Sequence, residues 1–295
     1  MRILAIVAAV LAVTGLVPLV ARQRFRAGVD REVQHLLSQP AVVPVGPDER
    51  EARWDGLPDP VRRYLQFAIT DRAPAIRTAR LTHGGTFRTS PDARWFPIDG
   101  EQHFTVGAPG FVWHATVWPL ALFWIEARDR VERGRGSMLV KVLSLFTVAD
   151  ARGPEIDQGA TLRWLGESAW FPYALVGDAV RWEAIDGRSA RATVAQEGLP
   201  VSAVFEFDED GRLAGLRADR YRDTGGGKAA LTPFTGRYAE YRDFGGFRVP
   251  TSVEVSWLLE TGAFTYARFN VTSIEYEGVT RPAAATTRPA REGQR

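Results

Sequence analysis

"DGEQHFTVGAPGFVWHATV", residues 99–117, alternates apolar and polar side chains on either side of a Gly- and Pro-containing turn. A period of two puts successive side chains on opposite faces of a strand, so this stretch reads as a half-buried antiparallel hairpin. A loop over Gly107–Gly110 pairs His103 with His114 and Phe104 with Trp113. Phe104, Val106, Phe111, Trp113 and Ala115 then share an apolar face, and Glu101, His103, Thr105, His114 and Thr116 share a polar one.

The same pattern extends outward. A turn at 133–136 ("RGRG") sets Ile125, Ala127, Asp129 and Val131 beside Met138, Val140 and Val142. A turn at 208–211 ("DEDG") sets Val201, Ala203 and Phe205 beside Ala214, Leu216 and Ala218. Further strands are expected near 180–186, 189–196, 234–243, 247–258 and 263–277. About ten or eleven strands joined mostly as hairpins make one large antiparallel sheet, which must curl and have its concave face covered.

Two helices are the available covers. In "LPDPVRRYLQFAI", 57–69, Asp59 reads as a cap with Pro60 in the first turn, and Val61, Tyr64, Leu65 and Ala68 fall on one face. "GPEIDQGATLRWLGESAWFP", 153–172, reads as a single helix. Glu155 and Asp157 fall in its first turn, where the helix dipole favours negative charge. Leu162, Leu165 and Ala169 form one apolar stripe, while Ile156, Ala160 and Trp170 flank an Arg163–Glu167 pair nearly opposite. The second apolar side suggests a lid over a cleft, with Arg163 and Glu167 as polar contacts for a ligand.

Residues 3–20, "ILAIVAAVLAVTGLVPLV", are long enough as a helix, roughly 27 Å, to cross a bilayer. The chain therefore divides into a transmembrane anchor with basic flank (1–26), a Pro-rich tether (27–54), the sheet domain (55–278) and a low-hydrophobicity, disordered tail (279–295). Arg22, Arg24, Arg26 and Arg31 after the span favour a cytoplasmic body by positive-inside counting.

Composition removes several classes of chemistry. The chain of 295 residues has no cysteine, so thiol nucleophiles, disulfides and Cys-ligated metals are excluded. Thirty-seven basic against 35 acidic residues, with the two interspersed, leave little footprint for nucleic acid. There is no G-x-S-x-G, and "TGGGK" at 224–228 lacks P-loop spacing. His103 and His114 on one face are two candidate metal ligands, with Glu101 nearby, but a zinc site needs three or four. Asp129 stands out because its parity places it on an apolar face, where a carboxylate must find a partner such as Arg163 or rise in pKa. Trp113, Trp164, Trp170 and Trp257 are candidates to line an apolar cleft. No cofactor is indicated.

"LPDPVRRYL", "GRGSM" (134–138), the 153–172 block, "FRVPTSVEVSWLL" (247–259) and the single N-terminal span resemble a bacterial membrane-anchored family of unknown function, over roughly residues 55–277. Its fold is similar to the outer-membrane lipoprotein carrier type. The resemblance implies a mainly β (α+β) curved half-barrel of about eleven strands with helices closing its mouth, and an extracytoplasmic body. This chain departs from those carriers in keeping a span and having no lipobox cysteine. The leading expectation is a membrane-tethered protein holding a lipid, acyl chain or other hydrophobic ligand. The alternatives are an acid–base enzyme using Asp129, Glu155, Asp157 or Glu167, and a non-catalytic envelope interaction module.

Overall fold

A computed structural model describes residues 2–39, 54–194 and 200–278, with side chains from Gly15 onward. The tail at 279–295 and most of the Pro-rich stretch lie outside the described residues.

Thirteen strands form one antiparallel sheet. The first meander is β1 (Ile76–Phe87), β2 (Phe96–Thr105), β3 (Gly110–Leu120), β4 (Phe123–Glu132), β5 (Arg135–Val142) and β6 (Phe146–Arg152). The second is β7 (Val180–Asp186), β8 (Ser189–Val194), β9 (Val201–Phe207), β10 (Leu213–Gly225), β11 (Lys228–Phe244), β12 (Phe247–Leu259) and β13 (Gly262–Gly278). The spatial order is β6-β5-β4-β3-β2-β1-β13-β12-β11-β10-β9-β8-β7. The two meanders thus join at β1–β13, and consecutive β6 and β7 are the two outer edges of the sheet. The chain between them has to cross the open side of the curl. It does so as α3 (Pro154–Glu167), followed by short 3-10 turns at Ser168–Trp170 and Pro172–Val176. Helix α3 packs on β4 and β5 in one arm and on β9 and β10 in the other, which makes the sheet a half-barrel bridged by a helix.

The remaining helices are α1 (Arg2–Leu37) and α2 (Asp59–Ala68). In α2 the cap is Pro58, not Asp59, whose carboxylate instead pairs with Arg62. Its buried Val61, Tyr64, Leu65 and Ala68 face β8 and β12, and fully burying a large apolar side chain contributes about 1.5–3 kcal/mol.

The quoted hairpin keeps its predicted faces but shifts register by two. Glu101 pairs with His114, Gln102 with Trp113 and Phe104 with Phe111. The reason is Val106, whose N–H leaves the hairpin to bond the Arg77 carbonyl on β1 at 3.1 Å. The 133–136 turn has the expected register, with Asp129 opposite Met138. At the 208–211 turn a bulge after Leu213 leaves Ala214 exposed and seats Leu213 opposite Phe207 in the core.

Helix α1 changes the reading of the outer face. Residues 27–37, expected to begin a tether, continue this helix and dock on the convex side of β3 and β2. Val29 and Leu36, with Phe25 and Val33, pack on Val112. Arg22 Nε reaches Glu126 at 2.6 Å, and Glu32 forms an ion pair with Arg128 at 3.1 Å. The polar face of the hairpin is therefore partly covered by α1. Its Glu126 side chain is wholly buried, bonded to Arg22, His114 and Thr116. Among the described residues no helix is long and apolar enough to cross a membrane.

Candidate functional site

The inner face of the half-barrel has two levels. At one, Phe104, Phe111, Leu81 and Val131 are fully buried against the α3 segment, whose Leu162, Trp164, Leu165, Ala169, Trp170 and Phe171 complete the core. At the other, the inward-facing Phe87, Phe96, Ile125, Ala127, Val140 and Trp257 are only half-buried, although their neighbours Ile98, Ala115 and Val117 are buried. Strand β4 shows the contrast directly. Its outward Trp124, Glu126 and Arg128 are buried, whereas its inward Ile125, Ala127 and Asp129 are partly open. This more open end of the inner face is the candidate apolar cleft, and Trp257 stacks on Tyr266 there with ring centres 5.9 Å apart.

Where the cleft meets α3, charged groups converge. Arg163 Nη1 donates to Asp129 at 3.0 Å, its Nε to Glu167 at 2.8 Å and its Nη2 to the Gln102 carbonyl oxygen at 2.9 Å. Gln102 Nε2 donates to the other Glu167 oxygen at 2.6 Å. The guanidinium lies 4.5 Å from the Trp113 ring centre and 5.0 Å from that of Phe111. Burial alone lowers the pKa of Arg163, but Glu167 and Asp129 outweigh it and raise it, so the side chain stays cationic. Burial raises the carboxyl of Glu167 against the opposing pull of Arg163 and Gln102. Beneath this layer, Trp113 Nε1 donates to His83 Nε2 at 2.9 Å, and burial lowers the His83 pKa to about 4.

Several predicted site residues lie elsewhere. Trp164 and Trp170 belong to the core, not to the cleft wall: their indole N–H groups donate to the carbonyls of Thr105 at 3.1 Å and Pro250 at 2.9 Å. Trp113 is buried beneath Arg163, so of the four tryptophans it is Trp257 that lines the opening. Glu155 is exposed. Asp157 clamps α3 to β5, accepting from the Gly136 N–H at 2.6 Å and from Arg135 at 3.2 Å. That contact needs glycine at 136, where a Cβ would stand 2.7 Å from the Ile156 carbonyl oxygen. His103 and His114 do not converge on one ion; each engages a different acid, Glu101 and Glu126 respectively. Among the described residues no group of three or more His, Cys, Asp or Glu is arranged to hold a metal.

Sequence reasoning missed Gln102, His83, Arg220 and Tyr266. Gln102 carried the signal that drew attention to Asp129, a polar residue in phase with Phe104. A separate pocket of about 620 Å³ lies against Phe67 and Tyr241, but Asp208, Arg212, Arg242 and Arg248 make it a charged recess unsuited to an acyl chain.

A family model, described as a family of unknown function (DUF6544), matches residues 48–269. The chain belongs to that family. No curated protein matches it. Among solved structures it is similar to a LolA superfamily protein from Nitrosomonas europaea, at 11% identity, covering 71% of this chain and 90% of that one with a TM-score of 0.39. It is also similar to a putative outer membrane lipoprotein-sorting protein domain from Vibrio parahaemolyticus, at 11% identity, 79% and 92% coverage and a TM-score of 0.37. A DUF1329 family protein from Desulfovibrio piger gives 12% identity, 77% and 92% coverage and a TM-score of 0.41. At such scores the likenesses carry no argument beyond this DUF6544 chain's own strand order.

Proposed function

We propose that this protein holds a lipid, acyl chain or other hydrophobic ligand in the unfilled end of its half-barrel, tethered to a bilayer by residues 3–20. The observation that carries the binding reading is the set of half-buried inward apolar residues, Phe87, Phe96, Ile125, Ala127, Val140 and Trp257, gathered at one end of the inner face. Unfilled apolar concavities with a few convergent polar groups are the usual form of small-ligand sites.

The tether is supported by the direction of α1. Arg22 lies over Trp118 and Trp124, while Leu36 lies against Gly110 at the other end of β3. The exposed Leu16, Val17, Leu19 and Val20 therefore project past the β3–β4 turn, whose Leu120 and Leu122 are 62% and 89% exposed. Ile98, Val117 and Ile125 sit in register at that same end, so the cleft opens where the apolar end of α1 emerges. A ligand leaving a bilayer there enters the cleft without crossing water.

We place the body outside the cytoplasm, as the resemblance implies. The opposing arginine count loses weight because Arg22 is engaged with the folded body through Glu126. A periplasmic reporter enzyme fused after residue 278 should be active, and a silent one with normal expression would reverse the assignment.

Ala127→Trp fills the cleft, so organic extracts of the purified variant should lose a ligand that wild type retains. Equal extracts from both would count against the cleft. Acid–base catalysis is the second reading, favoured by the raised carboxyl of Glu167. Against it, both Glu167 oxygens are already bonded, to Arg163 and Gln102.

A further inference from the structure

Charge in the cleft is unbalanced. Arg163 is matched by Asp129 and Glu167. Arg220 and Arg222 are not matched: among the described residues neither forms an ion pair with a carboxylate, and the Nε of each is buried without a hydrogen-bond partner. Both share the inward parity of Leu216 and Ala218 on β10, so they project into the half-barrel. Three arginines against two acids leave the region with an excess of one positive charge.

The arrangement around Arg220 is built. Its guanidinium lies 5.3 Å from the Phe234 ring centre and 5.9 Å from that of Trp257, and its Nη1 donates to the Tyr266 hydroxyl at 3.3 Å. Helix α3 passes with glycine at the point of approach, since a Cβ at Gly159 would stand 3.2 Å from Arg220 Nε. Gln158 next to it fixes the strand, donating to the Asp219 carbonyl at 2.8 Å and accepting from the Tyr221 N–H at 3.4 Å. Ring faces offset part of the cost of removing a guanidinium from water, and Glu167 feels the Arg220 charge without pairing with it, because its oxygens are bonded to Arg163 and Gln102. The forked donors of arginine fit a carboxylate or phosphate.

We infer that Arg220 and Arg222 bind the anionic headgroup, a carboxylate or a phosphate, of an amphiphile whose acyl chain lies along Phe87, Ile125 and Trp257. The inference rests on the hydrophobic-ligand reading above and specifies its ligand class. Arg163, saturated by its own partners, orders the floor of the site and does not contact the headgroup.

The test compares palmitate, palmitoyl lysophosphatidate and neutral monopalmitoylglycerol, titrated into the full chain in phosphatidylcholine vesicles and followed by tryptophan fluorescence. One or both anionic ligands should bind about tenfold or more tighter than the glyceride, and which one does so distinguishes carboxylate from phosphate. Arg220→Gln should erase that preference, bringing the anionic ligands to the affinity the same variant shows for the glyceride, and Arg222→Gln should reduce it. Equal affinity of all three for wild type overturns the inference and leaves the cleft intact. Saturable binding of none overturns both. The wild-type comparison stands even where a variant fails to fold.

Discussion

His83 is held neutral by its surroundings. Its Nε2 accepts from the Trp113 indole, leaving Nδ1–H to donate to the Gly84 carbonyl at 3.3 Å. A proton on Nε2 would set two donors against each other. Burial first, and the nearby Arg163 charge as well, take its pKa from 6.5 to about 4. The residue opposite it on β2 is Gly100, where a Cβ would stand 2.2 Å from Nε2, so the imidazole fills space that any side chain would occupy. The folded pKa lies below the unfolded one, so the unfolded chain takes up the proton first. Stability attributable to His83 is present above pH 6.5 and is lost as pH falls towards 4, by roughly 3 kcal/mol in all. Glu167, with a raised pKa, acts with the opposite sign above the ordinary carboxylate range, so the comparison must be differential. In urea denaturation the stability difference between wild type and His83→Gln should shrink by about that amount between pH 7 and pH 4. Parallel curves would refute the account. At this scale the sequence displayed Asp129 through its parity, and the same rule applied to Gln102 and Arg220 would have exposed them too. His83 gave no such signal, because nothing in the chain reveals which indole will face a histidine two strands away.

Helix α3 has apolar residues on two sides because it is surrounded. Its Leu162, Trp164 and Leu165 serve the core, and Arg163 and Glu167 meet the sheet through buried polar contacts. The pair reads in the sequence as a polar contact for a ligand, yet its side chains, 15% and 16% exposed, are bonded to each other, Asp129 and Gln102. Breaking such a network from one side costs more than its formation gained, because the remaining charges stay desolvated. Arg163→Met should therefore cost about 3–5 kcal/mol in denaturation, while Arg163→Met combined with Asp129→Leu and Glu167→Leu should recover a substantial part of it. A triple variant no more stable than the single would contradict that assignment. The helices and most hairpins were legible from period and turn residues. Strand β6 was not, since its Phe146 and Val148 are exposed and it shows no core-facing alternation. The docking of α1 was equally hidden, because Arg22, Glu32 and the buried Glu126 attach it by charge as much as by an apolar stripe.

Over the whole molecule, one topological fact organises the site. Because β6 and β7 are opposite edges, their connection must bridge the half-barrel. The bridge fills one end and leaves the other lined by half-buried apolar residues, beside the emerging N-terminal stretch. If that space holds an acyl chain, a reactive probe on the chain must find its walls. The decisive measurement is photo-crosslinking with a palmitate analogue that carries a diazirine on its acyl chain. The full chain in vesicles is irradiated and the adducts are mapped by peptide mass spectrometry. Adducts on Phe87, Ile125, Val140 or Trp257 that unlabelled palmitate competes away are the predicted result. Adducts confined to residues 3–20, or insensitive to competitor, would contradict the account.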